Sequence, residues 1–507
     1  MSILSDDSLE FAKKHITKFY DSDFFPRAFE FDALWHSWDE VKKELSSKNI
    51  AKHWVTSPKT LTSMKPKGGF RVVQQLDPLD TIVYTALAYS IADEVENARI
   101  PKDQHVACSY RIDLDEGSLF AEGNGFGEFT AQSEKLANEK EYVLATDITD
   151  FYNQIYLHRL NNAIEYADSS LKPIGDDIEG FLSRLNGKAS QGVPVGPAAS
   201  IIMSEAVMMD IDEFLINKGV FHTRYVDDFR IFSNSKEQLL SVLEDLTLYL
   251  YENHRLTLSG DKTKIIETEK YVSEILHNHY ELERVDIFHT LEIFNPYSGE
   301  HEEIEVPIEN EEELADEQIS LLAEKVLERK ILDLGLSRAL LRKAKSYKTP
   351  SLAEIIFENF DFFTPVINDV CLYLSAITNA DFVDQWKNEL IALTQTASMN
   401  RDLVRIWFEW YLSNNLDLLK VTPLKQFIFL GPNIISQSQA AIVSKNLAWV
   451  RDKKADLYTV GAWERRSILR ATQILPSDER EHWLKLTETT SPIMIDRWVA
   501  KWVREAL

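Results

Sequence analysis

Thr223-Arg224-Tyr225-Val226-Asp227-Asp228-Phe229-Arg230-Ile231-Phe232 is the stretch on which the reading of this chain turns. Two adjacent aspartates stand between a polar approach and an apolar return, the pattern of a short β-hairpin with both carboxylates at its tip. Neighbouring carboxylates repel one another unless a divalent cation neutralises them. Aspartate is also a favoured turn residue, so the pair gains meaning only from its company. Upstream, Val143-Leu144-Ala145-Thr146 reads as an apolar strand ending at Asp147, which brings a third carboxylate alongside. Joining a hydroxyl to a nucleotide α-phosphate uses two metal ions about 3.5–4 Å apart, one on the attacking oxygen and one on the leaving group. Three convergent carboxylates suit that chemistry, so the pattern points to nucleotidyl transfer.

Further segments follow in order. Lys65-Pro66-Lys67-Gly68-Gly69-Phe70-Arg71 reads as a basic, glycine-bent hairpin that presents Lys65 and Arg71 to a triphosphate. Asp147-Ile148-Thr149-Asp150-Phe151-Tyr152 comes next, and Asp150 reads as a carboxylate at a helix start. Ser190-Gln191-Gly192-Val193-Pro194-Val195-Gly196-Pro197 then opens a helix at Ala198. Its small residues let the backbone at Gln191 and Gly192 approach a flat base or sugar. Beyond the Asp-Asp hairpin, Leu256-Thr257-Leu258-Ser259-Gly260-Asp261-Lys262-Thr263 offers Lys262 to a pyrophosphate.

This ordered series, over about residues 55 to 270, resembles the fingers and palm of reverse transcriptases. The wording Arg224-Tyr225-Val226-Asp227-Asp228-Phe229, followed by a long helical extension, looks most like the abortive-infection (Abi) polymerases, bacterial relatives that act in defence against bacteriophage. The resemblance implies an α+β right-hand fold, Mg²⁺-dependent DNA synthesis from dNTPs with two ions, and, in Abi members, synthesis that starts on the protein itself and uses no template. It carries the catalytic carboxylates onto Asp147, Asp227 and Asp228 and a backbone metal ligand onto the Ile148 carbonyl. It also puts Tyr152 beneath the incoming sugar, where a ring excludes a 2′-hydroxyl. Priming on a tyrosine follows from the same resemblance, and Tyr20, in the hydrophilic arm Lys18-Phe19-Tyr20-Asp21-Ser22, is the candidate. The product is then single-stranded DNA attached to the protein.

Composition agrees with a weak grip on a template. The 507 residues carry 55 basic against 81 acidic side chains, a formal charge of −26, whereas a protein that grips a duplex needs a basic track. Cys108 and Cys371 lie far apart, which argues against a disulfide framework or a zinc cluster. Met1-Ser2-Ile3-Leu4-Ser5-Asp6-Asp7 turns polar at once, and no uninterrupted apolar span of membrane length is evident, so a cytoplasmic enzyme away from the membrane is expected.

Three segments are expected: an N-terminal helical arm packing on the fingers over 1–55, a fingers and palm domain over 56–300, and a C-terminal helical solenoid resembling HEAT repeats over 301–507. A glutamate-dense stretch between Glu300 and Glu317 marks the last boundary. Eight of the eleven tryptophans fall in the C-terminal part, where core packing is the default for an indole. Lys325, Arg329, Lys330, Arg338, Arg342, Lys343, Lys345 and Lys348 form the densest basic run, a candidate exit path for product. A homo-oligomer is expected. Two other readings stand beside the leading one: a conventional RNA-templated reverse transcriptase with an associated RNA, and a nucleotide-binding sensor or assembly protein.

Overall fold

In the computed structural model, residues 2–22, 24–123, 125–276, 293–294, 301–302, 313–329 and 331–507 are described. The glutamate-dense boundary falls largely outside them, as does Lys330 of the basic run. The chain folds into two compact units that are not linear in sequence: Met1–Ser22, Lys42–Lys59 and Gln74–Ile304 form the first, Asp23–Val41, Thr60–Val73 and Glu305–Leu507 the second. The fold is α+β, with an all-helical C-terminal region.

The strands are β1 (Lys59–Met64), β2 (Phe70–Gln75), β3 (Tyr142–Asp147), β4 (Phe221–Tyr225), β5 (Asp228–Ser233) and β6 (Lys264–Glu267). In the first unit four of them form an antiparallel sheet in the order β4-β5-β3-β6. Among its helices are α1 (Asp6–Phe19), α2 (Trp38–Ser46, whose last residues enter this unit), α3 (Pro78–Ala98), α4 (Gly125–Glu139), α5 (Phe151–Gln154) and α6 (Leu157–Ala167), then α7 (Lys172–Leu185), α8 (Ala199–Asn217) and α9 (Lys236–Tyr249). Two of these, α3 and α8, are apolar nearly all round and buried through most of their length, as a helix with neighbours on every side must be. Asp77 caps α3 by accepting from the Leu79 N–H, with Pro78 in the first turn. Helix α1 packs on α3, and His15 on its inner face bonds the Gly117 carbonyl at 2.9 Å. The next helix, α4, starts at Gly125, where an added Cβ would lie 2.5 Å from the Cys108 carbonyl oxygen.

The second unit takes in part of the expected N-terminal arm. Residues 24–41 pack on C-terminal helices, because Glu30 and Arg466, each 1% exposed, pair at 2.8 Å, and the Trp407 indole donates to the Phe24 carbonyl at 2.7 Å. The hairpin β1–β2 is anchored in this unit by Met64, whose sulfur faces Arg401 and Thr364. All eight C-terminal tryptophans are buried or half-buried, so helix packing uses them, while Trp54 is 85% exposed. Three arginines of the basic run meet carboxylates: Arg329 pairs with Asp333, and Arg338 and Arg342 with Asp369 on the later helix Ile367–Ile377. The stretch Phe360–Ile377 has the length and composition to cross a membrane, but a 3₁₀ turn at Thr364–Val366 interrupts it and 61% of it is buried.

Candidate active site

The carboxylates meet where β3 ends beside the β4–β5 hairpin. Register places Asp147 opposite Asp228, and directly opposed residues of an antiparallel pair project to the same face. The Ile148 N–H donates to the Asp227 carbonyl at 3.2 Å, and the Ser259 N–H to the Asp147 carbonyl at 2.8 Å. Three chain segments thus lock at one point.

The side chains are differently engaged. Asp147 receives the Lys262 ammonium at 2.7 Å, so Lys262 sits on a carboxylate. Burial, the Asp147 charge and the neighbouring Asp228 push the Asp227 carboxyl up to about 7, with Lys262 opposing. Asp228 is held by Arg230 at 2.5 and 3.2 Å, and Arg230 in turn donates to the Tyr271 hydroxyl at 3.1 Å. Among the described residues no group of three or more His, Cys, Asp or Glu side chains stands preassembled as a metal cluster. The donor chemistry nonetheless fits a divalent cation: Asp147 and Asp227 repel one another, and an ammonium already answers that charge.

Sequence reasoning missed what holds this turn. Val226 has φ 56°, a left-handed conformation that costs a β-branched residue of order 1–3 kcal/mol. Arg224, 0% exposed, donates to Asp212 and Glu205 at 2.8 to 3.1 Å and to the Val226 carbonyl at 3.2 Å. Glu205 also binds Arg99 at 2.7 Å and accepts from Ser109 at 3.2 Å. The available signal was Glu205 set in the apolar first half of α8, since unpaired charges are almost never fully buried.

Tyr152 and the Gln191–Gly192 loop lie together. Tyr152 is half-buried beside Phe151, its hydroxyl 3.4 Å from Ser204 Oγ. The loop at Gln191 and Gly192 is stitched to it: Gly192 N–H donates to the Ile155 carbonyl and Val193 N–H to the Tyr152 carbonyl, each at 2.8 Å. Asn186 donates to the carbonyls of Gln191 and Gly192 at 3.0 and 2.6 Å. Gly192 has φ 100°, a conformation that L side chains rarely adopt. Asp150 is the left-handed N-cap of α5 and accepts from Asn153 at 2.7 Å. In the second unit, Lys65 and Arg71 are exposed on the hairpin, whose turn takes Gly68 and Gly69 at φ 87° and 78°. Tyr20 ends α1, 53% exposed, with φ 64° and ψ −170°.

Residues 64–284 match the reverse transcriptase (RNA-dependent DNA polymerase) family. No curated protein matches the chain. Among solved structures, telomerase from Candida albicans in complex with the TWJ fragment of telomeric RNA is 12% identical, over 74% of this chain and 70% of that one, at a TM-score of 0.32. Apo telomerase from Candida tropicalis is 13% identical, over 83% and 73%, at a TM-score of 0.33. The chain therefore carries a reverse-transcriptase domain, and with it the polymerase activity of nucleotidyl transfer.

Proposed function

We propose that this chain is an abortive-infection DNA polymerase that adds dNTPs to a hydroxyl of its own, without a template, in defence against bacteriophage. The observation that carries the polymerase step is the meeting of Asp147 with the Asp227-Asp228 hairpin. Two Mg²⁺ ions held by Asp147, Asp227, Asp228 and the Ile148 carbonyl would activate the attacking hydroxyl and take up charge on the leaving pyrophosphate. To hold them, Asp228 would part from Arg230 and Asp147 from Lys262. Tyr152, backed by the Gln191–Gly192 loop, sets the sugar against a ring that leaves no room for a 2′-hydroxyl. Lys65 and Arg71 are placed on the triphosphate and Lys262 on the pyrophosphate in this reading.

Template independence is supported by the charge of −26 and by the carboxylates that Arg329, Arg338 and Arg342 of the basic run already meet. Tyr20 is the proposed primer: its phenol is exposed, and its backbone lies in a region that residues other than glycine rarely enter. The single-stranded product would stay attached to it, in a cytoplasmic homo-oligomer. The second reading, an RNA-templated enzyme, is favoured by the family match itself.

The test is to incubate the purified chain with labelled dNTPs and Mg²⁺, with neither template nor primer. Label that survives denaturation on the protein, vanishes in Asp227→Asn and maps to Tyr20 supports the proposal. Incorporation that requires added RNA supports the second reading, and incorporation undiminished in Asp227→Asn refutes the assignment of the site. Undiminished adduct in Tyr20→Phe would move the primer elsewhere.

A further inference from the structure

The least expected residue of the catalytic turn is Val226. Two-residue hairpin loops with positive φ call for Gly, Asn or Asp, because a β-branched side chain crowds its own backbone there. Valine at φ 56° must therefore be held from outside the hairpin.

The restraint is a closed hydrogen-bonded ring. Val226 N–H donates to Ser109 Oγ at 2.8 Å, and Ser109 Oγ donates to Glu205 Oε1 at 3.2 Å. Glu205 accepts from Arg224 Nη1 at 3.1 Å and Nη2 at 2.8 Å, and Arg224 Nη1 returns to the Val226 carbonyl at 3.2 Å. Ser109, Glu205 and Arg224 are all 0% exposed, so water does not replace a lost partner. Two backbone bonds fasten the ring to β4: Arg224 N–H to the Val106 carbonyl at 2.7 Å, and Cys108 N–H to the Arg224 carbonyl at 3.1 Å. Both polar groups of the Val226 backbone are thus gripped, one from the Ser109 segment and one from β4.

We propose that Ser109, Glu205 and Arg224 are positioning residues that hold Val226 left-handed, and that this grip aims the Asp227 carboxylate. The inference rests on the reading of Asp227 as a catalytic carboxylate. None of the three touches a reacting atom. With the grip released, Val226 relaxes toward negative φ, the peptide that follows it rotates, and Asp227 swings away from Asp147. Ser109 lies well upstream of the catalytic motifs in sequence and would be a determinant of their geometry.

Glycine takes positive φ at no steric cost, which provides the test. In the full chain, Ser109→Ala should lower kcat for dNTP incorporation about tenfold or more, as a misplacement near 1 Å does, while leaving KM for dNTP within about twofold. The Mg²⁺ concentration giving half-maximal thermal stabilisation, read by scanning calorimetry without nucleotide, should rise several-fold. On a Val226→Gly background, Ser109→Ala should cost less than about twofold, because the strain it restrained is gone. Ser109→Cys, of similar size and with a weaker acceptor, should fall between serine and alanine and serves if the alanine variant does not fold. Wild-type kcat and Mg²⁺ response in Ser109→Ala, or in Ser109→Cys in its place, overturn the proposal; so does an equal loss with and without Val226→Gly. An inactive Asp227→Asn beside a fully active Ser109→Ala sinks the grip alone, whereas an active Asp227→Asn sinks the catalytic reading beneath it.

Discussion

Arg224→Met removes the guanidinium that bridges Glu205 and Asp212 of α8, and its cost follows from what it leaves behind. Glu205 keeps Arg99 at 2.7 Å and Ser109 at 3.2 Å, but among the described residues Asp212 keeps only His222, at 3.3 Å. Burial pushes the Asp212 carboxyl up, yet Arg224 and His222 together hold it at about 2. Without Arg224 burial prevails, and the protein must bury a poorly paired charge or take up a proton. Removing one partner of a buried ion pair costs about 3–5 kcal/mol. For a unit of this size a loss near 4 kcal/mol lowers the melting temperature by roughly 8–16 °C. Scanning calorimetry at pH 7 measures it, with Arg224→Met/Asp212→Asn as the companion variant. Neutralising the stranded Asp212 should restore most of the loss, since Glu205 still has Arg99 and no unpaired desolvated charge remains there. A drop equivalent to less than about 1 kcal/mol, or a double variant no more stable than Arg224→Met, would refute the reasoning.

Other outcomes are as definite. Tyr152→Ala should admit NTPs and reduce the preference for dNTPs, measured as a ratio of kcat/KM values; unchanged discrimination would make Tyr152 a packing residue. His15, 2% exposed, has its pKa lowered to about 4, mainly by burial. A folded pKa below the unfolded one gives stability that is present above about 6.5 and lost as pH falls toward 4, here about 3 kcal/mol. His15→Gln should therefore lose less melting temperature than wild type between pH 7 and 4.5, and parallel curves would contradict this. Lys262→Gln removes the ammonium that competes with a cation for Asp147. Because Lys262 is 64% exposed the gain should be modest, Mg²⁺ binding tighter by up to about fivefold in titration calorimetry while kcat falls. Weaker binding would mean that Lys262 helps to build the metal site.

Local chemistry was enough to read the strands and the local setting of several candidate residues from the chain. Asp147 stands at the end of an apolar strand, Asp227 and Asp228 at a hairpin tip, and Tyr152 against a glycine loop, because alternation, turn residues and spacing act over a few residues. Those elements would be read the same way in any context. What the chain alone did not disclose depends on partners far apart in sequence. Val226 tolerates φ 56° only because Ser109 and Arg224 hold it, and Glu205 and Asp212 are tolerated in α8 only because Arg224 and Arg99 meet them. Residues 24–41 and the fingertip hairpin belong with the C-terminal helices for a similar reason: Glu30 finds its counter-ion at Arg466, and Met64 its neighbours at Thr364 and Arg401. A buried charge or a strained peptide is affordable only with its partner in place, and only the tertiary fold supplies that partner.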